Sequence, residues 1–212
     1  MSIDEGYIKF AIDWTREPAP DWTVTQLLNT WRRPLYKAGL IGYYAELGIG
    51  FGNISVRYGK PGQFVISGTQ TGHIADAKSE HYSLVTDYDI DGNRLSCTGL
   101  IQASSESLTH AAIYALHPSI NAVVHVHCRP LWDQLKGRFP TTGQDVAYGT
   151  PEMAREFARL YQDSDFASVG IAIMAGHEEG VLSIGTTLQQ AAARVLHVRP
   201  KPGDARIVSD PG

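Results

Sequence analysis

Asn121-Ala-Val-Val-His125-Val-His127 is the segment from which both the fold and the chemistry of this chain can be worked out. Its apolar, β-branched residues predict a buried strand. Because side chains alternate between the two faces of a strand, His125 and His127 share one face and lie about 6.6 Å apart along it. Two imidazoles at that spacing can converge on one cation, although a His-x-His pair by itself is more often structural than ligating.

A helix is predicted directly before this strand, in the segment from Ser104 to Pro118. Serine suits its N-cap, apolar residues recur at helical spacing, and the proline lies just past its end. Glu106 can be interpreted simply as a first-turn glutamate that favours the helix dipole. The connection to Asn121 is short enough to bring helix and strand into contact, so Glu106 is also a candidate for the histidine site. His110, one turn later, can orient that carboxylate.

A third histidine lies in a predicted β-hairpin over residues 171–185. The polar turn between the two strands contains His177. A histidine in a turn is usually only solvated, but as a third ligand it would complete a three-histidine site with an open coordination position. Imidazole suits zinc and its transition-metal neighbours. Together the three histidines predict a transition-metal site that a substrate can reach.

Six short segments carry a resemblance to a known family: Gly52-Asn53-Ile54-Ser55-Val56-Arg57, Thr69-Gln-Thr71-Gly72, Ser104-Ser105-Glu106 with His110, His125-Val-His127, Tyr148-Gly-Thr150 and His177. In this order they resemble the class II aldolase/adducin family, whose type member is the fuculose-phosphate aldolase. The resemblance extends over roughly residues 27–196, most of the chain, and the separation of Glu106 from His125 equals the family's spacing.

The resemblance implies both a fold and a metal centre. The fold is α/β, a single three-layer domain over residues 1–212 with a central, mainly antiparallel sheet covered by helices. His125, His127 and His177 would bind a divalent metal, most often zinc. Glu106 would act as the acid/base and can also occupy the open position of the free metal.

The resemblance also implies an anion pocket that cradles a substrate phosphate, formed by Asn53, Thr71, Gly72, Ser104 and Ser105. This assignment has physical sense. Ser104 and Ser105 precede a helix, where unpaired N–H groups and the helix dipole favour an anion. Thr71 and Gly72 can form a turn whose amides point at the same ligand. Whether the anion is a phosphate or a carboxylate is left open.

Two departures from the family pattern leave the reaction open. Common members have glycine after the third histidine, whereas Glu178 and Glu179 lengthen this turn and add two carboxylates beside the metal. The family's aldolases also use a tyrosine a few residues before the segment matching Tyr148-Gly-Thr150. Tyr148 is the nearest phenol, but its register does not match, so the proton donor to the product is not identified.

The remaining patterns predict an α/β order without repeats. Gly48-Ile-Gly50-Phe-Gly52 superficially resembles a dinucleotide-binding loop, but a β-branched segment follows where a helix is required, so we reject that interpretation. The other expected elements are an N-terminal arm at 1–22 with a short strand or arm at 7–14, a helix at 23–39 started anew or kinked at Pro34, strands at 63–67, 83–89 and 95–98, a turn at 91–93, helices at 151–161 and 188–197, and a loose tail at 199–212.

Composition argues against several classes of partner. Of the 212 residues, 43% are hydrophobic and 19% are charged, and the net charge of −4 gives no electrostatic case for nucleic acid or an anionic membrane. Two cysteines do not indicate a disulfide framework, and strand alternation points Cys128 away from the metal pair. Neither a signal-peptide pattern nor a stretch of membrane-spanning length occurs, so we expect a cytoplasmic protein.

These observations favour an enzyme that acts on a small anionic molecule. The first hypothesis is a metal-dependent lyase of carbohydrate metabolism, which cleaves or forms a carbon–carbon bond in a small sugar phosphate or related hydroxy-ketone through a metal-stabilised enediolate. The alternatives are an epimerase, dehydratase or decarboxylase of the same family, or an adducin-like binding module without catalysis. The resemblance further implies a homo-oligomer, specifically a tetramer with sites near subunit boundaries.

Overall fold

The computed structural model describes residues 6–199, in which ten strands form. Eight belong to one sheet and two to a short separate hairpin. The strands are β1 (Ala11–Arg16), β2 (Gly42–Tyr44), β3 (Ile49–Phe51), β4 (Asn53–Arg57), β5 (Phe64–Ser67), β6 (Tyr82–Asp89), β7 (Arg94–Gly99), β8 (Ala122–His127), β9 (Ile171–Ile173) and β10 (Gly180–Gly185).

Six α-helices and one short 3₁₀ turn at Ser79–His81 accompany these strands in the described range. Three of the helices begin at a side chain that accepts a backbone N–H of the first turn, which satisfies one of the amides left free at a helix start. The helices are α1 (Trp22–Lys37), α2 (Ser107–Leu116), α3 (Arg129–Leu135), α4 (Pro151–Asp163), α5 (Phe166–Val169) and α6 (Leu188–Val198).

The large sheet has the strand order β1-β7-β6-β5-β4-β8-β10-β9. Only β1 and β7 pair in parallel, and all other neighbours are antiparallel. The expected central, mainly antiparallel sheet is therefore confirmed. β1 falls within the predicted N-terminal arm, so this part of the arm contributes an edge strand.

Helices cover both faces of the sheet and give the three predicted layers. Side chains of α1, α3 and α6 form one core with Val124 and Val126, and those of α2, α4 and α5 form a second core with Val123. Alternation along β8 gives His125 and His127 the parity of Val123. Both histidines therefore lie on the face of the sheet that α2 covers.

α1 continues through Pro34, where the sequence predicts a new or kinked segment. The helix runs to Lys37 as one element. Leu28 and Leu35 are both fully buried on its core-facing side. Packing on either side of the proline holds the helix together despite the missing hydrogen bond.

The start of α2 also differs from the expectation that serine caps it. Glu106 is the N-cap residue, and its side chain makes no capping hydrogen bond. Ser104 Oγ accepts a hydrogen bond from the Glu106 N–H at 3.3 Å, and the Ser107 N–H donates to Ser104 O at 2.9 Å. Ser104 therefore stabilises the turn before the helix, and this turn fixes where the glutamate stands.

Several short elements were not foreseen from the sequence. These are the two three-residue strands of the β2–β3 hairpin, α3 and α5, in which periodicity is a weak signal because each has seven residues or fewer. Of the predicted loose tail, residues 200–212 lie outside the described residues. Between residues 6 and 199, every helix is too short or too polar to cross a membrane.

The packing of the sheet beside the histidines can be tested at Leu182, a fully buried residue of β10 that pairs with His125. Leu182→Ala removes apolar contacts and leaves a cavity, and we expect the free energy of unfolding to fall by about 2–5 kcal/mol in urea denaturation. Leu47→Ala, at an exposed residue, is the control and should change it by less than about 0.5 kcal/mol. Equal effects would contradict the packing described here.

Candidate metal centre

The three predicted histidines meet at one end of the sheet. His125 and His127 lie on β8, and His177 lies in the turn between β9 and β10. The antiparallel register pairs Gly180 with His127, so the turn just before Gly180 must lie beside the end of β8. All three imidazoles are buried.

The ring nitrogens of these histidines face one another. Each histidine offers one nitrogen, and the three nitrogens lie within 4.8 Å of one another. His127 Nε2 and His177 Nε2 are 3.1 Å apart. A tetrahedral zinc with Zn–N bonds of about 2.0–2.1 Å holds its ligand nitrogens about 3.3 Å apart. The donor set therefore fits a divalent transition metal after small side-chain adjustments.

His125 supplies the sharpest indication of this fit. Its Nε2 is buried and makes no hydrogen bond among the described residues. Burial, with smaller contributions from His127 and His177, lowers the pKa of His125 well below its usual range. A neutral imidazole with an unused, buried lone pair is the form that binds a metal ion.

Glu106 stands on the same side of the sheet as the histidines. Its side chain is fully buried at the start of α2, and Oε1 lies 3.5 Å from His177 Nε2. At this distance the carboxylate can reach a metal held by the histidines or a substrate bound to it. Of the two rival carboxylates in the turn, Glu178 is half exposed and pairs with Arg129. Glu179 contacts Tyr44 instead.

Gly180 leaves the space in which the imidazoles converge. A Cβ at this position would lie 2.8 Å from His177 Cδ2 and 3.3 Å from His125 Nε2. Any larger residue would push into the rings, so the glycine is required by this close approach rather than by its backbone angles. Cys128 is outside the metal cluster, and burial raises the pKa of its thiol.

Asn53 contacts His125 at the ring nitrogen that lies away from the other two histidines. Its Nδ2 lies 3.4 Å from His125 Nδ1, and its Oδ1 is buried without a hydrogen-bond partner among the described residues. A cation on Nε2 requires a proton on Nδ1, because neutral imidazole carries one proton. The amide can present its oxygen to that proton, since both orientations fill the same space. Asn53 then keeps an N–H donor for a second partner.

The other predicted anion-pocket residues are brought together by backbone pairing. The Thr69 N–H donates to Gln102 O at 2.9 Å, and the Ser104 N–H donates to Ser67 O at 3.2 Å. The turn at 69–72 therefore runs beside the serine turn before α2. Thr71, Gly72, Ser104 and Ser105 are all buried, as is Asn53.

Some hydrogen-bond donors of this predicted pocket are available to an anion and others already have an acceptor. The amides of Thr71 and Gly72 and the hydroxyl of Ser105 make no hydrogen bond within the described part of the chain. Ser104 Oγ accepts from Glu106, which leaves its proton to donate. Thr71 Oγ1 already donates to Gly68 O at 2.8 Å, so this hydroxyl is committed. Backbone amides and serine hydroxyls are the available donors.

Arg32 is a buried cation beside the predicted anion pocket, and no pattern in the sequence indicates this placement. It is 1% exposed and donates to the carbonyl oxygens of Thr71, at 2.7 Å, and Ile74. Burial lowers its pKa, and no carboxylate pairs with it in the described residues. The Thr71 carbonyl and the Gly72 N–H belong to one peptide group and point in opposite directions. The arginine therefore polarises the Gly72 amide, one of the donors of the predicted anion pocket, from the carbonyl side of the peptide group.

The polar atoms of two further side chains form hydrogen bonds outside the histidine cluster. Tyr148 Oη accepts from the Tyr7 N–H at 3.1 Å and donates to Tyr7 O at 3.2 Å, while its ring lies 4.4 Å from that of His177. His110 Nδ1 lies 2.7 Å from Ser55 Oγ, and burial lowers the pKa of His110 to about 3. The expected contact from His110 to Glu106 is replaced by this hydrogen bond to β4.

The unforeseen β2–β3 hairpin forms an aromatic wall beside the histidines. The Phe51 ring lies 5.6 Å from the His127 ring, and the Tyr44 ring lies 4.4 Å from Phe51. Gly48, with a φ of +70°, permits the turn between the two strands. That glycine, flanked by apolar and aromatic residues, is the sequence signal that could have predicted the hairpin.

Residues 37–132 match the family model described as the Class II Aldolase and Adducin N-terminal domain. This range contains Glu106, both histidines of β8 and all the residues of the predicted anion pocket. Over these residues the chain is similar to the class II aldolase/adducin family. Class II aldolases use a divalent metal, and the three buried histidines could hold one.

Solved class II aldolase structures share the fold of most of the chain. L-fuculose 1-phosphate aldolase is 19% identical, with a TM-score of 0.62 over 85% of this chain and 84% of its own. The sugar-phosphate aldolase from Thermotoga maritima is 17% identical, with a TM-score of 0.63 over 83% and 90%. YgbL from Escherichia coli, for which aldolase, epimerase and decarboxylase are candidate activities, is 20% identical, with a TM-score of 0.61 over 84% and 85%. No curated protein matches the chain significantly by sequence.

Metal binding by the histidine set can be tested at His177. We expect about one divalent transition ion per chain in the purified protein, and a His177→Ala variant to lose most of it, because two imidazoles hold such an ion far less tightly than three. Inductively coupled plasma mass spectrometry of the dialysed proteins measures the number of metal ions per chain. His197→Ala, an exposed histidine on α6, is the control. Full metal content in His177→Ala would remove this residue from the site.

Proposed function

We propose that this protein is a metal-dependent lyase that cleaves or forms a carbon–carbon bond next to a ketone in a small sugar phosphate or a related anionic hydroxy-ketone. The observation that carries the proposal is the convergence of three buried imidazoles, with the Glu106 carboxylate 3.5 Å from His177. A three-histidine centre leaves coordination positions for substrate oxygens. The metal is zinc in this proposal.

The roles of the chain's own residues follow from their positions. A divalent ion at the histidines supplies Lewis-acid stabilisation of the negative charge that develops on a substrate carbonyl oxygen. Glu106 accepts the substrate proton and returns it, because its carboxylate is buried beside the histidines. Ser104, Ser105 and the Thr71–Gly72 amides bind the anionic end of the substrate and fix its reacting carbons near Glu106.

The buried charge of Arg32 supports the choice of an anion. Its guanidinium has hydrogen bonds to carbonyl oxygens but no described carboxylate to neutralise it. In a low-dielectric surrounding such a charge favours a negative group nearby. We therefore retain the anionic substrate, with the pocket donors facing it and the arginine behind them.

The alternative reaction is an epimerisation, dehydration or decarboxylation at the same centre. It is favoured by Tyr148, whose hydroxyl hydrogen-bonds the backbone of Tyr7 and does not provide the phenol that family aldolases use. All of these reactions need the metal and one proton-transfer group. Release of an aldehyde from short ketose phosphates, measured with a coupled dehydrogenase, separates the lyase from the others. An adducin-like binding module would need neither metal nor turnover.

We also propose a cytoplasmic homo-oligomer, with four copies as in the family's aldolases. A neighbouring copy could then supply the missing proton donor. The 1–212 single-domain organisation belongs to the same proposal. Full enzymatic activity of a species that light scattering shows to be strictly monomeric would contradict it.

Glu106→Gln tests the proposed proton transfer. The amide keeps the size and hydrogen bonding of the side chain but cannot accept a proton at neutral pH. We expect kcat to fall by roughly 10²–10⁴-fold, the usual contribution of general acid–base catalysis, while metal content is retained. Glu178→Gln is the matched control, since this carboxylate is half exposed and pairs with Arg129. Normal turnover by Glu106→Gln with loss of activity in Glu178→Gln would place the base in the turn.

Ser105→Ala tests the anion pocket. The hydroxyl is proposed to bind the anionic group equally in the ground state and the transition state. Its loss should therefore raise KM more than it lowers kcat, which steady-state kinetics can separate. Thr69→Ala is the control, because Thr69 lies in the neighbouring turn and, among the described residues, only its backbone N–H is used there, as a donor to Gln102 O. If affinity for every anionic substrate and inhibitor is unchanged in Ser105→Ala, the pocket lies elsewhere.

A further inference from the structure

The β2–β3 hairpin and the turn after His177 meet behind His127. Tyr44 of the β2–β3 hairpin places its Oη 3.3 Å from His127 Nδ1. The same hydroxyl donates a hydrogen bond to Glu179 Oε2 at 2.6 Å, and Glu179 belongs to the lengthened turn after His177. An imidazole, a phenol and a carboxylate therefore form one continuous hydrogen-bonded chain.

The hydrogen bonds from His127 to Tyr44 and from Tyr44 to Glu179 lie on the side of the imidazole away from the metal centre. His127 Nε2 faces His177 Nε2, whereas Nδ1, on the other side of the ring, faces Tyr44. Tyr44 is therefore behind a ligand rather than in the space where a substrate would bind. Its hydroxyl cannot touch the reacting atoms, so any effect on the reaction must act through His127.

The proton positions give these two hydrogen bonds a single donor-to-acceptor direction, from His127 through Tyr44 to Glu179. When Nε2 binds a cation, the one proton of the neutral imidazole resides on Nδ1 and donates to Tyr44 Oη. The phenol in turn donates its own proton to Glu179, which accepts as a carboxylate. Each group has one role, and the anionic end makes the imidazole a stronger donor of electron density to the metal. The ring orientation is fixed at the same time.

The backbone of Glu179 adopts a conformation that favours glycine over glutamate. Its φ of +68° lies in the left-handed region, which glycine adopts without strain and glutamate does not. Its main-chain carbonyl accepts from the Cys128 N–H at 3.0 Å, a contact that glycine would also make. The carboxylate is therefore the part of Glu179 that the fold does not otherwise need. Glu178, next to it, points outward to Arg129.

We propose that Tyr44 and Glu179 are positioning residues that hold His127 in the orientation and tautomer required for metal binding. This inference rests on the proposed metal centre and deepens it. It also explains why the departure from the family pattern at the turn is compatible with a working site. The added carboxylate supports a ligand from behind rather than competing for the metal.

The affinity of the full-length protein for zinc tests the inference. Tyr44→Phe removes the hydroxyl that links His127 to Glu179, and Glu179→Gln replaces the carboxylate by a neutral amide. Competition with a chromophoric chelator measures the dissociation constant of each variant. We expect each to weaken zinc binding by roughly 10–100-fold, the usual effect of losing a partner of a metal-bound histidine. Tyr43→Phe and Glu178→Gln are the matched neighbours, both exposed, and should bind zinc as the wild type does.

A double variant and a glycine variant separate positioning from packing. Because the two groups act in series, Tyr44→Phe with Glu179→Gln should bind zinc about as weakly as either single variant. Glu179→Gly relieves the backbone strain while removing the carboxylate. It should weaken zinc binding like Glu179→Gln without lowering the melting temperature of the metal-free protein, which a purely structural role would lower.

The outcomes distinguish this inference from the proposed function. A wild type that binds no zinc would overturn both. Zinc binding by the wild type with unchanged affinity in Tyr44→Phe and Glu179→Gln would overturn the inference alone and leave the metal centre intact. Weaker binding in the two variants but not in Tyr43→Phe or Glu178→Gln would support it.

Discussion

The antiparallel pairing of β8 between β4 and β10 determines where every group of the metal centre lies. Both edges of this strand are hydrogen-bonded, so its side chains must fill a core on each face. Val124 and Val126 fill one core, and the opposite face carries His125 and His127 at the end near α2. The same register brings the β10 turn with His177 alongside. A slip of one residue would turn both β8 histidines into the other core.

Polar groups whose burial without partners costs free energy lie close together in this centre. Three imidazoles and the Glu106 carboxylate are buried together, and His125 Nε2 has no hydrogen-bond partner in the described residues. Buried polar atoms without partners cost free energy. A divalent cation satisfies such a set at once, since neutral imidazoles and a carboxylate are its preferred ligands. Metal binding should therefore contribute to the stability of the fold as well as to the proposed chemistry.

How much of this could be predicted from the sequence depends on the range of the interactions. Strand alternation at His125 and His127 and the short connection from α2 are local, and they were enough to bring Glu106 and the histidines together. The β2–β3 hairpin, the Tyr44–Glu179 contact and the placement of Arg32 behind Thr71 depend on pairings between distant segments, which periodicity does not report. The sequence predicts a serine N-cap for α2, and this is wrong because Ser104 Oγ accepts the Glu106 N–H in the turn before the helix.

The most direct test of the account is anomalous diffraction at the zinc absorption edge from crystals of the full chain grown with zinc. A three-histidine centre should give a single strong peak with Nε2 of His125, His127 and His177 about 2.0–2.1 Å away and at least one further position open to solvent or Glu106. A peak at the exposed His73, coordination through Nδ1 of His127, or the absence of any peak between the three histidines would contradict it.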